Sequence, residues 1–301
     1  MKKRILSLVS LFILVFTLCF TTSCEKDDKT IYVCASELPH ADVLENAVAP
    51  ILKEKGYTLK VTVIDWTIQN DAVANKDYDA NYFQHVPYLE LYTGSVKLFA
   101  SAKVHYEPLG IYKGKATGDL SEGKTFAICN DESNAIRALE LLQAKGVITN
   151  LPVDSEGKLT ITGSNWTSEN GVTVTLVAEE LLAASMADFD FACLPCNTAL
   201  TGNIDGSLQV AKEDDAELVA AKANIIAARL DDYNNDSEYK AKIDALTDAV
   251  LSKAVSDYVN EKWGGAITCD SSSQIDLRYF MKMFSLSNMF IYVVNDCIMI
   301  T

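Results

Sequence analysis

The chain has 301 residues, 49% of them hydrophobic, enough for one large or two ordinary domains with a substantial core. A formal charge of −15 argues against a nucleic-acid binder, which needs basic surface to neutralise phosphates, and against docking on an anionic membrane. A small molecule is left as the expected partner.

At the N-terminus, Lys2, Lys3 and Arg4 precede an apolar run, Ile5 to Phe20, and small residues then lead to Cys24. The run is short for a bilayer span and reads as a bacterial export signal. "TTSC" resembles the lipobox at which a lipoprotein precursor is cut and its cysteine lipidated, although Thr21 stands where leucine is usual. The expectation is a signal peptide at 1–23, a lipidated Cys24, and a charged tether at 24–30 containing "EKDDKT". Such a chain would sit in the cell envelope, anchored to a membrane and facing the periplasm or exterior; a plain cleaved signal is the alternative. Of the remaining cysteines, Cys34, Cys129, Cys193, Cys196, Cys269 and Cys297 are sparse for a disulfide framework and read as small buried hydrophobes.

"TIYVCAS" is a β-branched run. In "HADVLENAVAPILKEKG", Leu44, Val48, Ile51 and Leu52 recur at helical spacing, and Pro50 predicts a kink. "TLKVTVID" is the next strand, a polar helix runs to Asn75, and "YDANYF" is a strand leading into a helix near His85. This alternation is that of a parallel sheet with covering helices. "VKLFASAKVHYEPLGIY" reads as extended, and the glycine-rich "GKATGDLSEGK" as a domain crossover. A second series follows: "TFAICN", the helix "ESNAIRALELLQAKG", "VTVTLVA", "EELLAASM" and "DFDFACLP". "ANIIAARL" is a last strand, and "EYKAKIDALTDAVLSKAVSDYVNEKW" reads as one long amphipathic helix. Beyond Gly265 the style changes to "TCDSSSQ" and an apolar stretch interrupted by Lys282, Asn288, Asn295 and Asp296, a poor spanning helix.

All three histidines, His40, His85 and His105, fall at turns or strand ends, which points to a shared cleft. Strand periodicity puts His105 and Glu107 on one face. In "NDESNAIRALELL", Asp131 or Ser133 can cap a helix that carries Arg137 in its first turn. Free backbone N–H groups and a planar guanidinium fork there suit a carboxylate, although a solvated arginine fits the same spacing.

"PHADVLE…KEKGY", "DANYFQHVPYLE", "VHYEPLGIY" and "NDESNAIRAL" together resemble the NlpA family of lipoproteins, methionine-binding proteins that feed an ABC importer. The resemblance runs from about Thr30 to Gly265. It implies an α/β, two-lobed periplasmic-binding-protein-like fold of the type II class, with 31–113 plus 205–266 as one lobe, 114–204 as the other, and 267–301 as an atypical tail. It also implies that Tyr82 and Phe83 clamp the ligand side chain and that Arg137 takes its carboxylate, with Asn81, His85, His105, Glu107 and Asn134 lining the cleft. The implied ligand is L-methionine or a related small amino acid or dipeptide, and the implied partners are the importer's permease and ATPase subunits. No cofactor, metal or catalytic residue is implied.

One departure touches the site. Where the family usually carries "N-G-N-Y-A" or "N-T-T-Y-A", this chain has "PCNTA": Pro195 replaces the first asparagine and Asn197 matches the second of the first version. Proline lacks both an N–H and a side-chain amide, so either the ligand differs or Asn197 compensates. Two other readings stay open. His40, His85 and His105 with Cys34, Cys129 and Cys193 could hold a metal, though no two histidines lie within 15 residues of each other. "CLPC" could be a redox pair or a structural disulfide between Cys193 and Cys196, though a strand precedes it.

Overall fold

The computed structural model describes residues 29–157, 159–160, 166–215 and 221–278, and the backbone of 293–294 and 297–298. The export signal and Cys24 lie outside the described residues.

Two six-stranded sheets carry the fold. The first contains β1 (Thr30–Ala35), β2 (Thr58–Val63), β3 (Ala80–His85), β4 (Leu98–His105), β11 (Asn224–Arg229) and β12 (Ile275–Asp276), in the order β12-β4-β11-β3-β1-β2. β1 runs parallel to β2 and β3, whereas β11 enters antiparallel between β3 and β4. The central β11, "NIIAAR", is buried at every position, as expected for a strand covered on both faces. The second sheet contains β5 (Gly110–Lys113), β6 (Thr125–Cys129), β7 (Trp166–Thr167), β8 (Thr173–Val177), β9 (Phe191–Leu194) and β10 (Gln209–Lys212), in the order β10-β5-β9-β6-β8-β7. Phe126 and Phe191 stack in its core with ring centroids 5.4 Å apart.

The lobe boundary does not fall at the glycine-rich 114–124 segment, as the sequence suggests, because β5 and β10 both belong to the second sheet. The chain changes lobes earlier, at Tyr106–Leu109, where Pro108 has no N–H for a ladder. It returns between Lys212 and Asn224.

Helix Ser237–Val250 packs Ile243, Leu246 and Val250 into the core that also holds Leu44, Val48 and Leu52. The long helix expected from 238 to 263 is two helices: Ser252 is extended (φ −73°, ψ 151°) and Lys253–Trp263 starts afresh. The break lets Val255 and Val259 reach the same core. At Pro50, where the sequence predicts a kink, the helix widens into a π-helical turn, Leu44–Val48, and runs on into Ala49–Glu54. Because the helix is continuous there, the missing N–H cannot close the ordinary bond to the turn before it, and the wider turn accommodates the proline.

The first lobe continues past Ala266. Thr268 pairs with Tyr106 through two backbone hydrogen bonds of 2.7 and 2.9 Å, and Cys269 and Ser273 are fully buried. β12 then extends the sheet at β4, and Arg278 reaches Asp244, Asp248 and Asp276.

Candidate functional site

A cleft of about 470 Å³, open to solvent, lies where the two lobes meet. Trp66, Phe83 and Tyr88 contribute rings, and Gln84, His85, Asn134, Asn197 and Asn224 contribute polar tips. Glu107, Arg137 and Glu179 bring charge, and Ser36 and Pro195 complete the lining.

The ring wall is built at the end of β3. Phe83 meets Tyr88 edge-on at 5.7 Å, and Tyr88 meets Trp66 at 5.5 Å. The expected Tyr82–Phe83 pair does not form this wall. Neighbours in a strand face opposite sides, so only Phe83 turns to the cleft; an extra residue of β3 between Ile226↔Tyr82 and Asn224↔His85 then breaks the alternation and lets Gln84 and His85 line it as well. Tyr82 instead lies fully buried in the first-lobe core, bonded through its hydroxyl to His105 Nδ1. His105 Nε2 donates to Glu107 Oε1 at 2.7 Å, and His40 Nε2 lies 3.2 Å from the same oxygen. Tyr82 and His105 thus sit behind the cleft and position Glu107. Burial pushes Glu107 up, but the bonds and charges of His40 and His105 reverse this and hold it below its ordinary value. Its Oε2 makes no well-formed hydrogen bond among the described residues.

Asn81 is likewise behind the wall. Its amide donates to Asn70 Oδ1 at 2.8 Å, and Gln84 Nε2 donates to Asn70 and Asn81 at 2.6 and 2.9 Å, a closed network that fixes Gln84 in the lining.

His85 Nδ1 accepts from the Tyr88 N–H at 3.2 Å, so the ring caps the helix Val86–Glu90. That leaves Nε2–H to donate across the cleft to Asn134 Oδ1 at 3.2 Å. Burial, then repulsion from Arg137, lowers its pKa from 6.5 to about 4, keeping the ring neutral.

Asp131 caps the helix Glu132–Ala144, accepting from the N–H of Asn134 at 2.9 Å. Arg137 is buried one turn further on, with its fork already engaged. Nε donates to Glu213 Oε1 at 2.7 Å, and Nη2 donates to Glu213 Oε2 and to the Glu107 carbonyl at 2.5 Å each. Glu213 also accepts from the Tyr106 hydroxyl and the Leu109 N–H. The pair therefore fastens both interlobe crossovers; the Tyr106 hydroxyl stands beside the guanidinium, and among the described residues Nη1 of Arg137 makes no hydrogen bond like those of Nε and Nη2. Sequence spacing gave no hint of Glu213, 76 residues away. Trp66, just past the end of β2, and Tyr88, inside the ring-rich stretch, could have been noted as strand-end aromatics.

The alternative chemistries fare less well. His40, His105 and Glu107 group within 4.8 Å, but His85 is not among them, and Glu107 is already held by the two rings. A second group, Cys129, Asp131 and Glu179, lies at the cleft edge. Cys193 and Cys196 are free thiols that turn into different cores, Cys193 into that of the second lobe and Cys196 into that of the first. Burial raises both pKa values, the reverse of an activated thiol.

A cleft lined by rings and amides between two α/β lobes defines a small-molecule binding protein of the periplasmic-binding-protein type. The chain belongs to the NlpA lipoprotein family, which it matches over residues 31–269. It is 35% identical to the methionine-binding lipoprotein MetQ of Bacillus subtilis over 283 residues, covering 89% of this chain and 98% of that protein. The lipoprotein Tp32 of Treponema pallidum superposes with a TM-score of 0.69 at 26% identity, over 81% of this chain and all of Tp32. A nutrient-binding protein of Burkholderia cenocepacia, solved with methionine bound, superposes with a TM-score of 0.68 at 27% identity, over 80% of this chain and 99% of the other. Among the described residues no helix is long and apolar enough to cross a membrane.

Proposed function

We propose that this chain is a lipid-anchored binding protein of the cell envelope that captures L-methionine, or a closely related small amino acid or short methionine-containing peptide, for an ABC importer's permease and ATPase subunits. Cys24 would carry the lipid. The observation that carries the reading is the cleft lining, which joins the rings of Trp66, Phe83 and Tyr88 to Arg137 and several amides in a chain of this family. A flexible thioether packs well on ring edges and faces, at about 0.3–1.5 kcal/mol per contact. Nη1 of Arg137 is the donor available to a ligand carboxylate, with Asn134 beside it for a further polar contact, while His85 orients Asn134 and Asn197 orients Glu179. Asn81, Tyr82 and His105 act by positioning Gln84 and Glu107. The test is mass spectrometry of the small molecules released when the purified protein is denatured, followed by calorimetry of the stripped protein with L-methionine. Release of methionine or a methionine peptide and rebinding of L-methionine support the reading; a stripped protein that ignores methionine and its peptides overturns the substrate.

A further inference from the structure

The cleft carries more negative than positive charge. Arg137 is matched by Glu213, and His85 is neutral. Glu107 and Glu179 remain. Glu107 is 4% exposed; the Asn197 backbone N–H lies close enough to help lower its pKa, and its Oε2 makes no well-formed hydrogen bond among the described residues. Glu179 is held by one oxygen: Oε1 accepts from Asn197 Nδ2 at 3.2 Å and from Thr198 Oγ1 at 2.8 Å. Its Oε2 meets only the Cys129 thiol, at 3.8 Å. Among the described residues, no cationic nitrogen forms an ion pair with Glu179.

From this geometry we infer that Glu179, fixed by Asn197 and Thr198, and Glu107 through its Oε2, form the seat for the ligand's α-ammonium group, making Glu179 a specificity-determining residue. The inference rests on the proposed amino-acid-binding function and names the group that the cleft's polar end selects. Burial, together with repulsion from Asp131 and Glu107, holds the Glu179 carboxyl above its ordinary range, and a bound cation would relieve that repulsion. The arrangement also gives Pro195 a partner in function. Pro195 lines the cleft but offers neither N–H nor amide, and the neighbouring Asn197 amide is already committed to Glu179. A carboxylate reaching in from the helix Glu179–Ser185 supplies the contact that position 195 cannot.

The test compares L-methionine with 2-hydroxy-4-(methylthio)butanoate, in which a hydroxyl replaces the ammonium, by calorimetry on the detergent-solubilised, ligand-stripped full chain. Wild type is expected to bind the hydroxy acid at least about tenfold more weakly, because a charge-assisted contact is lost. Glu179→Gln is expected to weaken methionine about tenfold to a hundredfold and the hydroxy acid by much less, collapsing the discrimination. Glu179→Ala, which removes the carboxylate without adding a donor, should behave alike. Discrimination that persists in folded Glu179→Gln or Glu179→Ala overturns the inference. So does equal binding of the two compounds by wild type, a result independent of any variant's folding, while the binding function stands. Wild type that binds neither compound removes the function reading, and this inference with it.

Discussion

Arg137 spends Nε and Nη2 on Glu213 and the Glu107 carbonyl, and the proposed function gives Nη1 to the ligand. Arg137→Ala should therefore lose ligand and also destabilise the apo chain by about 3–5 kcal/mol, because it leaves the Glu213 carboxylate buried and unpaired. Combining Arg137→Met with Glu213→Gln should recover part of that stability without restoring binding. Urea melts and calorimetry on the single and double variants check both halves; a single variant as stable as wild type would refute the crossover role. His85 sets a pH response. Its folded pKa of about 4, against an ordinary 6.5, means the folded chain binds fewer protons than the unfolded chain between those values. Its contribution is complete above pH 6.5 and is lost as pH falls towards 4, by up to about 3 kcal/mol. His85→Gln should flatten the fall of the urea midpoint across that window. Some slope should persist, because burial also lowers His40 to about 4.

Among the elements, the segment after Ala266 is where the structure departs most from the sequence reading. A chain cut after Ala266 loses Cys269 and Ser273 from the core, the β12 pairing and the Arg278 ion pairs. It should melt at least several degrees lower in a thermal scan, since burial of even two or three small side chains is worth about 1–3 kcal/mol; an unchanged melting temperature would show that this segment adds nothing. "CDSSSQ" gave no sign of this, because its hold comes from partners at Val104 and Ser256 that no local pattern reveals. The alternating α/β order, the Asp131 cap and the first-turn Arg137 were all legible, because they rest on periodicity and capping within a dozen residues. Tyr82 was placed by the resemblance and against the local rule, since adjacent strand residues face opposite sides and it could not share a wall with Phe83. That Gln84 and His85 line the cleft together was not legible, because the irregular pairing of β3 depends on the distant strand β11. Glu179 and Glu213 were invisible for the same cause: each acts through a partner distant in sequence or across a lobe.

Across the whole molecule, the cleft offers a built-in reporter. Trp66 lines it, whereas Trp166 lies on the edge strand β7 and Trp263 at the end of a first-lobe helix. Ligand should shift the protein's tryptophan emission, and Trp66→Phe should abolish the shift while Trp166→Phe preserves it; a fluorescence titration decides this. The connectivity has a further consequence, for the order in which the halves can be completed. β5 to β10 are contiguous in the chain, from Gly110 to Lys212, so every strand of the second sheet exists once the chain has been made to that point. The first sheet has to wait, because β11 fills the gap between β3 and β4 and arrives only with Asn224–Arg229. A chain emerging from its N-terminus should therefore present a protease-resistant second half while its first half is still two unjoined pieces of sheet. Pulse-labelled chains of increasing length, probed with protease, should yield a protected fragment near 106–215 before any protected fragment containing β1 appears. The domain completed first is then the one whose sequence begins second, and the cleft is the last feature of the molecule to come into existence.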